Sequence, residues 1–187
     1  MRITAGCLRN RPVMVPPDGV RPTQDRVRQS LYSSLGADFT GWRVLDLFAG
    51  SGALGLEAWS RGAEYVCWVE NDSRVFPVLS ENVARLCAGR PGSAVCRRLD
   101  ALRLDALAAC EKPFDLALAD PPYDASRAGL WLQKILSSLA GHDIVRPGGW
   151  LVFEMGADRS VPPEAPGWTL SRDRVMGQSR VLRYLRG

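Results

Sequence analysis

The sequence predicts an α/β fold: a mostly parallel, seven-stranded sheet with helices on both faces, an antiparallel C-terminal hairpin, and a small β-hairpin at the N-terminus. Three observations predict it. From Arg43 onward, short apolar runs alternate with helical segments, the pattern of repeated β-α units whose crossovers keep strands parallel. A glycine-rich turn, Gly50-x-Gly52-x-x-Gly55, joins the first of those runs to a helix. The last two runs are separated only by Met176-Gly177-Gln178-Ser179, too short for a crossover, so they pair antiparallel.

Taken in order, residues 1–20 read as the N-terminal hairpin, with Leu8 to Arg11 as its turn and Pro16-Pro17-Asp18-Gly19 closing it. The remaining residues, 21–187, form the main domain. Thr23 is placed to cap a helix running to about Leu35, with Val27, Leu31 and Leu35 on one buried face. That helix leaves Arg21, Arg26 and Arg28 partly free for solvent or ligand. Strands are expected at 43–48, 65–70, 94–97, 115–119, 150–155, 169–175 and 180–186, and helices at about 53–61, 73–87, 101–110 and 127–140. The stripe Trp131, Leu132, Ile135, Leu136 and Leu139 on the last of these helices reads as core. The proline-rich stretch 162–167 is a loop within the domain.

Composition narrows the function. The 187 residues suit one domain of about 100–200 residues, and no stretch reaches the ~18 uncharged apolar residues of a membrane span. Arg2, Arg9 and Arg11 stand where a secretion signal needs apolar residues. Cys7, Cys67, Cys87, Cys96 and Cys110 are scattered without metal-site spacing, so reduced thiols in a soluble cytoplasmic protein are expected. His142 is the only histidine. No metal site is expected. The formal net charge is +4, and among 24 basic residues only Lys112 and Lys134 are lysines. Arginine binds phosphate bidentately and stacks on bases, which favours a nucleic-acid partner; codon bias accounts for such a composition equally well.

The run Val44-Leu45-Asp46-Leu47-Phe48-Ala49-Gly50-Ser51-Gly52 passes from strand through glycine turn to helix. Gly50 and Gly52 let backbone approach a ligand closely. A dinucleotide site fits the glycines alone, but a pyrophosphate is repelled by a carboxylate at Asp46, whereas the α-ammonium of S-adenosylmethionine is attracted to it. Hydrogen bonding of Asp46 to the turn's own N–H groups is the alternative. Glu70, closing the second strand, is positioned to accept two ribose hydroxyls. Asp100, after the third, is positioned to accept an adenine amine or to cap the next helix.

Asp120-Pro121-Pro122-Tyr123 ends the fourth strand and is the most specific feature of the chain. Two prolines fix the backbone, so the Asp120 carboxylate and the Pro121 carbonyl present two acceptors in a set geometry. These suit the two hydrogens of an exocyclic –NH₂ on a nucleobase, whose lone pair is freed toward an electrophilic methyl when the hydrogens are held out of the ring plane. Tyr123 is placed to stack on the base, a contact worth about 1–3 kcal/mol.

The glycine loop followed by Asp-Pro-Pro-Tyr resembles the class I S-adenosylmethionine-dependent amino methyltransferases. Met1-Arg2-Ile3-Thr4-Ala5-Gly6, Val15-Pro16-Pro17 and Arg21-Pro22-Thr23-Gln24-Asp25-Arg26-Val27-Arg28 resemble, more narrowly, the bacterial 16S rRNA guanine-N2 methyltransferases that modify one guanine of the small subunit, position 966. Cys7, Asn10 and Tyr32-Ser33-Ser34 depart from that family's pattern.

The resemblance spans the chain and implies a Rossmann-like sheet, S-adenosylmethionine as donor, no metal, and 16S rRNA within the small ribosomal subunit as partner of a monomer. It implies catalytic roles for Asp120, Pro121, Pro122 and Tyr123, and donor contacts from Thr23, Arg26, Asp46, Phe48, Gly50, Ser51, Gly52, Glu70, Asn71, Asp100 and Ala101. Arg2, Arg9, Arg11, Arg21 and Arg28 are the expected RNA contacts. An adenine-N6 DNA methyltransferase shares the Asp-Pro-Pro-Tyr chemistry, but the chain leaves only about 40 residues for reading a duplex. A non-catalytic ribosome-assembly factor is the rival from another class.

Overall fold

Strand β1 (Arg43–Leu47) lies at the centre of the sheet, and everything the site needs is placed relative to it. In the computed structural model, which describes residues 1–16, 25–90, 92–103, 113–122, 128–161 and 165–187, the chain enters through α1 (Asp25–Leu35) and then β1. It continues through α2 (Ala53–Ser60), β2 (Tyr65–Val69), α3 (Phe76–Cys87) and β3 (Ser93–Arg97). Next come β4 (Phe114–Ala119), α4 (Ala128–Gly141), β5 (Val145–Gly156), β6 (Trp168–Met176) and β7 (Ser179–Arg186). Thr23, Arg21, Cys110 and Tyr123 lie outside the described residues, as do the side chain of Arg26 and most of the helix expected at 101–110.

The sheet order is β3-β2-β1-β4-β5-β7-β6. Strands β1 to β5 are parallel, and β7 runs antiparallel between β5 and β6. The chain builds outward from β1 to β3, then returns to the other side of β1 with β4. That reversal opens a crevice at the carboxyl ends of β1 and β4, where open α/β sheets bind ligands.

Side-chain alternation divides the core. Val44, Val66, Trp68, Leu116, Leu118 and Val152 face α1, α2 and α3, while Leu45, Leu47, Cys67, Val69, Ala117, Leu151 and Phe153 face α4. The strands are apolar on both faces because helices cover both. Leu132, Ile135, Leu136 and Leu139 of α4 are buried, as their spacing predicts. Strand β5 starts five residues earlier than the sequence indicates, because Val145 pairs with Phe114 ahead of Pro147-Gly148-Gly149. The register shift between Phe114 and Leu116 accommodates it, and a Pro-Gly-Gly stretch masks such a strand in sequence.

The N-terminal segment has the shape of a hairpin but not its strands: its only bridge among the described residues pairs Arg2 with Pro12. Leu8 to Arg11 makes the turn, closed by Arg11 N–H to Leu8 C=O at 3.0 Å. Three further N–H groups bond across its arms, Ile3 to the Arg11 carbonyl at 3.1 Å, Asn10 to the Ile3 carbonyl at 2.9 Å and Val13 to the Met1 carbonyl at 3.0 Å, while others leave the segment. Thr4 N–H donates to Glu57, Cys7 N–H to the Ser60 carbonyl, and Leu8 N–H to the Ser60 hydroxyl. Ile3 and Val13 are buried with the α1–α2–α3 face, so the segment is fastened to the sheet domain.

The fastening is electrostatic as well. Glu57, fully buried in the middle of α2, accepts from Thr4 N–H at 2.7 Å and from the Thr4 hydroxyl at 3.0 Å, and it pairs with Arg61 and with Arg28 at 3.6 Å. Arg28, expected at an RNA surface, is 0% exposed; a second guanidinium nitrogen donates to the Arg2 carbonyl at 2.8 Å. The expectation for Arg28 is therefore corrected. Its partner is an anion 29 positions further on, on another element, and a guanidinium that satisfies a buried carboxylate is not available to a phosphate.

Replacing Glu57 by Ala leaves Arg28 and the Thr4 donors buried without their acceptor. A loss of about 3–5 kcal/mol is expected, read as a lower urea midpoint at unchanged slope. A midpoint near wild type would show that the network is not structural.

Candidate active site

Asp46 is the penultimate residue of the apolar strand β1 and is 1% exposed. One of its oxygens accepts from the Gly55 N–H at 2.8 Å; the other, Oδ1, is buried with no hydrogen-bond partner among the described residues. Gly55 is required for that approach, because a Cβ there falls 2.3 Å from Trp68 Nε1 and 3.0 Å from the Asp46 carboxylate. Hydrogen bonding to an N–H at the start of α2, one of the two readings of Asp46, accounts for Oδ2. Burial pushes its carboxyl well above the usual range, and the neighbouring carboxylates Asp120 and Glu70 push the same way against the Gly55 bond.

Between β1 and α2 the backbone takes positive φ at Phe48 (55°), Gly50 (56°) and Gly52 (84°). At Phe48 this is a conformation L residues avoid, held by stacking of its ring on Trp131 at 5.7 Å. Trp68 Nε1–H donates to the Gly52 carbonyl at 3.1 Å, and Ala49 N–H to the Val69 carbonyl at 2.9 Å, so β2 supports the turn from beneath. Ser51 is buried, and its carbonyl accepts from Asn82 Nδ2 at 3.0 Å.

Asn82 is the residue that sequence reasoning passed over. Fully buried on α3, its amide grips both polar groups of Met14, accepting from the N–H at 3.0 Å and donating to the carbonyl at 2.9 Å, while also holding Ser51. The only sequence signal was an amide within the buried face of an amphipathic helix.

Glu70 stands one residue beyond β2. Both its oxygens already accept backbone N–H groups, Gly50 at 2.9 Å and Asp72 at 2.8 Å. Each carboxylate oxygen retains a second lone pair, so Glu70 props the glycine turn and still offers acceptors to the crevice. Asp100 accepts from the Leu102 N–H at 2.9 Å in a local turn, the helix it is expected to cap lies outside the described residues, and Ala101 is buried. Asn71 is exposed. Asp120 and Pro121 are half-buried at the end of β4, and Pro122 is exposed. Asp46, Glu70, Asp100 and Asp120 thus sit at the carboxyl ends of β1, β2, β3 and β4.

Arg2, Arg9 and Arg11 are exposed on the N-terminal segment, in contrast to Arg28. Cys7, Cys67, Cys87 and Cys96 are free thiols. Among the described residues no cluster of His, Cys, Asp or Glu could hold a metal ion, and no helix is long and apolar enough to cross a membrane.

A family profile described as conserved hypothetical protein 95 matches residues 1–185. The ribosomal RNA small subunit methyltransferase D of Escherichia coli K12 is 34% identical over 187 residues, covering 100% of this chain and 90% of the relative. The Haemophilus influenzae protein of the same name is 32% identical over 181 residues, covering 95% and 89%. Among solved structures, the Escherichia coli yhhF protein superposes with a TM-score of 0.82 at 34% identity, covering 100% of this chain and 97% of that one.

Asp46→Asn keeps an acceptor for Gly55 while removing a charge that burial disfavours. The raised folded-state pKa means the native protein holds its proton to higher pH than the unfolded chain, so wild-type stability declines as pH rises through that interval. The Asn variant is expected to match wild type at acid pH and exceed its melting temperature increasingly toward neutrality. A variant no more stable at pH 7 than at pH 3, relative to wild type, would show Asp46 to be ordinarily ionised.

Proposed function

The chain belongs to the conserved hypothetical protein 95 family, and on that premise we propose that it transfers a methyl group from S-adenosylmethionine to the exocyclic N2 of one guanine, position 966, in 16S rRNA of the small ribosomal subunit. It acts in this reading as a cytoplasmic monomer. The observation that carries it is the buried, unpartnered Asp46 Oδ1 beside a glycine turn, at the end of the crevice where Asp120-Pro121-Pro122 leaves β4.

The residues fit the donor. Asp46 Oδ1 is an anionic acceptor kept dry for an ammonium, and proton loss from Asp46 is favoured once a cation faces it. The free lone pairs of Glu70 suit ribose hydroxyls, and Asp100 with Ala101 borders the place for adenine. Phe48, Gly50, Ser51, Gly52 and Asn71 make the intervening wall, and Thr23 and Arg26 are assigned to the donor's carboxylate end. When bound, S-adenosylmethionine supplies a methyl on a sulfonium, already activated for displacement.

Asp120 and the Pro121 carbonyl orient the guanine amine, with Pro122 fixing the turn and Tyr123 assigned to the base face. The N–C bond forms as the C–S bond breaks. The methylated nitrogen is then a strong acid, so the Asp120 carboxylate, or water, takes its proton. Arg2, Arg9, Arg11 and Arg21 are assigned to the RNA.

Methylation of small subunits by labelled donor is the test. Asp120→Ala is expected to lose about 10²–10³ in rate with donor affinity little changed, and Asp120→Asn to lose less, because its amide oxygen still accepts one N–H. Wild-type rates in Asp120→Ala would overturn the assignment. Glu70→Ala is expected to weaken donor binding by about 1.5–3 kcal/mol; calorimetry showing equal affinity would confine Glu70 to propping the turn.

A further inference from the structure

A shallow groove, about 310 Å³ counting the solvent-open space at its mouth, runs between α1 and the C-terminal strands, on the same face of the sheet as α2 and α3. Its floor is Leu31, Val152, Val181 and Met176, and its polar lining is Ser30, Ser34, Arg172, Arg174 and Arg183. Among these lining residues there is no carboxylate. Asp173, the acid nearest in sequence, is committed to Arg180 through bonds of 2.8 and 2.5 Å.

We propose that this groove binds the sugar-phosphate backbone of the substrate RNA, with Arg172 and Arg174 as phosphate contacts and Arg183 as their support.

Three features carry the inference. First, Arg172 and Arg183 are direct cross-strand partners, an arrangement of like charges that destabilises a sheet unless an anion joins it. Arg183 is held by Ser171 Oγ at 3.1 Å, by the Ser34 carbonyl at 2.9 Å and by the Trp150 ring at 4.7 Å. Burial, and then the Arg172 charge, lower its pKa, so the strain of crowding is present in the folded protein. Arg172 itself is exposed and makes no hydrogen bond or ion pair to any described residue.

Second, the lining combines guanidinium forks with hydroxyls over an apolar floor. Forks match phosphate oxygens and the floor suits ribose, whereas an apolar peptide finds three cations with nothing to neutralise them. Arg174 already donates to Ser30 Oγ at 3.2 Å, which braces it across the groove.

Third, the groove is in line with the active site. The register carries Ala119 across Phe153 and Leu182 to Asp173, so Arg174 lies level with Asp120 at the crevice mouth. Three strand spacings separate them, roughly 14 Å, a span that a few nucleotides flanking the target base bridge.

The inference rests on an RNA substrate, so wild type is measured first. Binding of small subunits and of naked 16S rRNA is titrated against salt for wild type, the double variant Arg172→Gln with Arg174→Gln, and Lys134→Ala on the exposed side of α4. The double variant is expected to reduce the magnitude of the log–log salt slope by about 1.4, at ~0.7 per lost single-strand phosphate contact. Affinity at low salt should fall about tenfold or more, with donor affinity unchanged, a melting temperature at or above that of wild type because the like-charge pair is relieved, and Lys134→Ala like wild type. An unchanged slope in a folded double variant overturns the groove while leaving the methyltransferase reading intact. Loss confined to the assembled subunit, with naked RNA bound as tightly as by wild type, also overturns it and assigns the groove to an acidic protein surface. A wild type that neither binds nor methylates RNA refutes the reading beneath it.

Discussion

A single hydrogen bond from the Gly55 N–H to the Asp46 carboxylate sets how α2 leaves β1, and the rest of the site is arranged around it. The bond fixes the helix start over the strand end, which forces the chain between them through three positive-φ residues. It also spends one carboxylate oxygen and leaves the other buried without a hydrogen-bond partner among the described residues. Desolvating that charge costs stability that the fold does not recover by itself. A buried anion without a partner is tolerable where a cation arrives with the ligand, so the same bond that builds the turn also holds the site in readiness.

Two buried polar centres hold the N-terminal segment against this turn. Glu57 gathers Thr4, Arg28 and Arg61 on one side of α2, and Asn82 on α3 grips Met14 while holding the carbonyl of Ser51. Position on the N-terminal segment and position on the glycine turn are thereby joined through one amide. The surface bearing Arg2, Arg9 and Arg11 cannot shift without disturbing the backbone proposed to cradle the donor.

The α/β architecture was legible because both of its signals are local: apolar runs of strand length, and glycines at the first turn. Asp46 was legible because a carboxylate inside Val44-Leu45-Asp46-Leu47 has no place in a buried strand without a function. What escaped were pairings between distant elements. Arg28 read as a surface cation since its partner, Glu57, is brought to it only by folding; the signal available was a lone Glu in the otherwise apolar Ala53–Ser60 helix, all of it buried. Asn82 gave no periodic signal, because an amide differs from its neighbours by what it bonds rather than by where it faces. Glu70 and Asp100 were placed correctly at strand ends, but their bonds to the turn's own backbone depend on loop conformation, which spacing does not encode.

The charge distribution explains how a chain of net charge +4 avoids filling its own anionic crevice with its arginines. Asp46, Glu70 and Asp120 meet at the carboxyl ends of three adjacent strands, and their repulsion is strong enough to raise the Asp46 pKa further. Among the described residues, Arg28 and Arg61 are tied to Glu57, Arg74 to Asp72, and Arg85 to the Pro12 carbonyl. Exposed arginines include Arg2, Arg9 and Arg11 on the N-terminal segment and Arg172 and Arg174 on β6. In the proposed reading, a polyanion is attracted to the arginines at the rim and repelled by the carboxylates at the centre, which suits an uncharged base with an N–H to donate better than the phosphate backbone. Discrimination between phosphate and base amine is then a property of where the fold puts its two signs of charge.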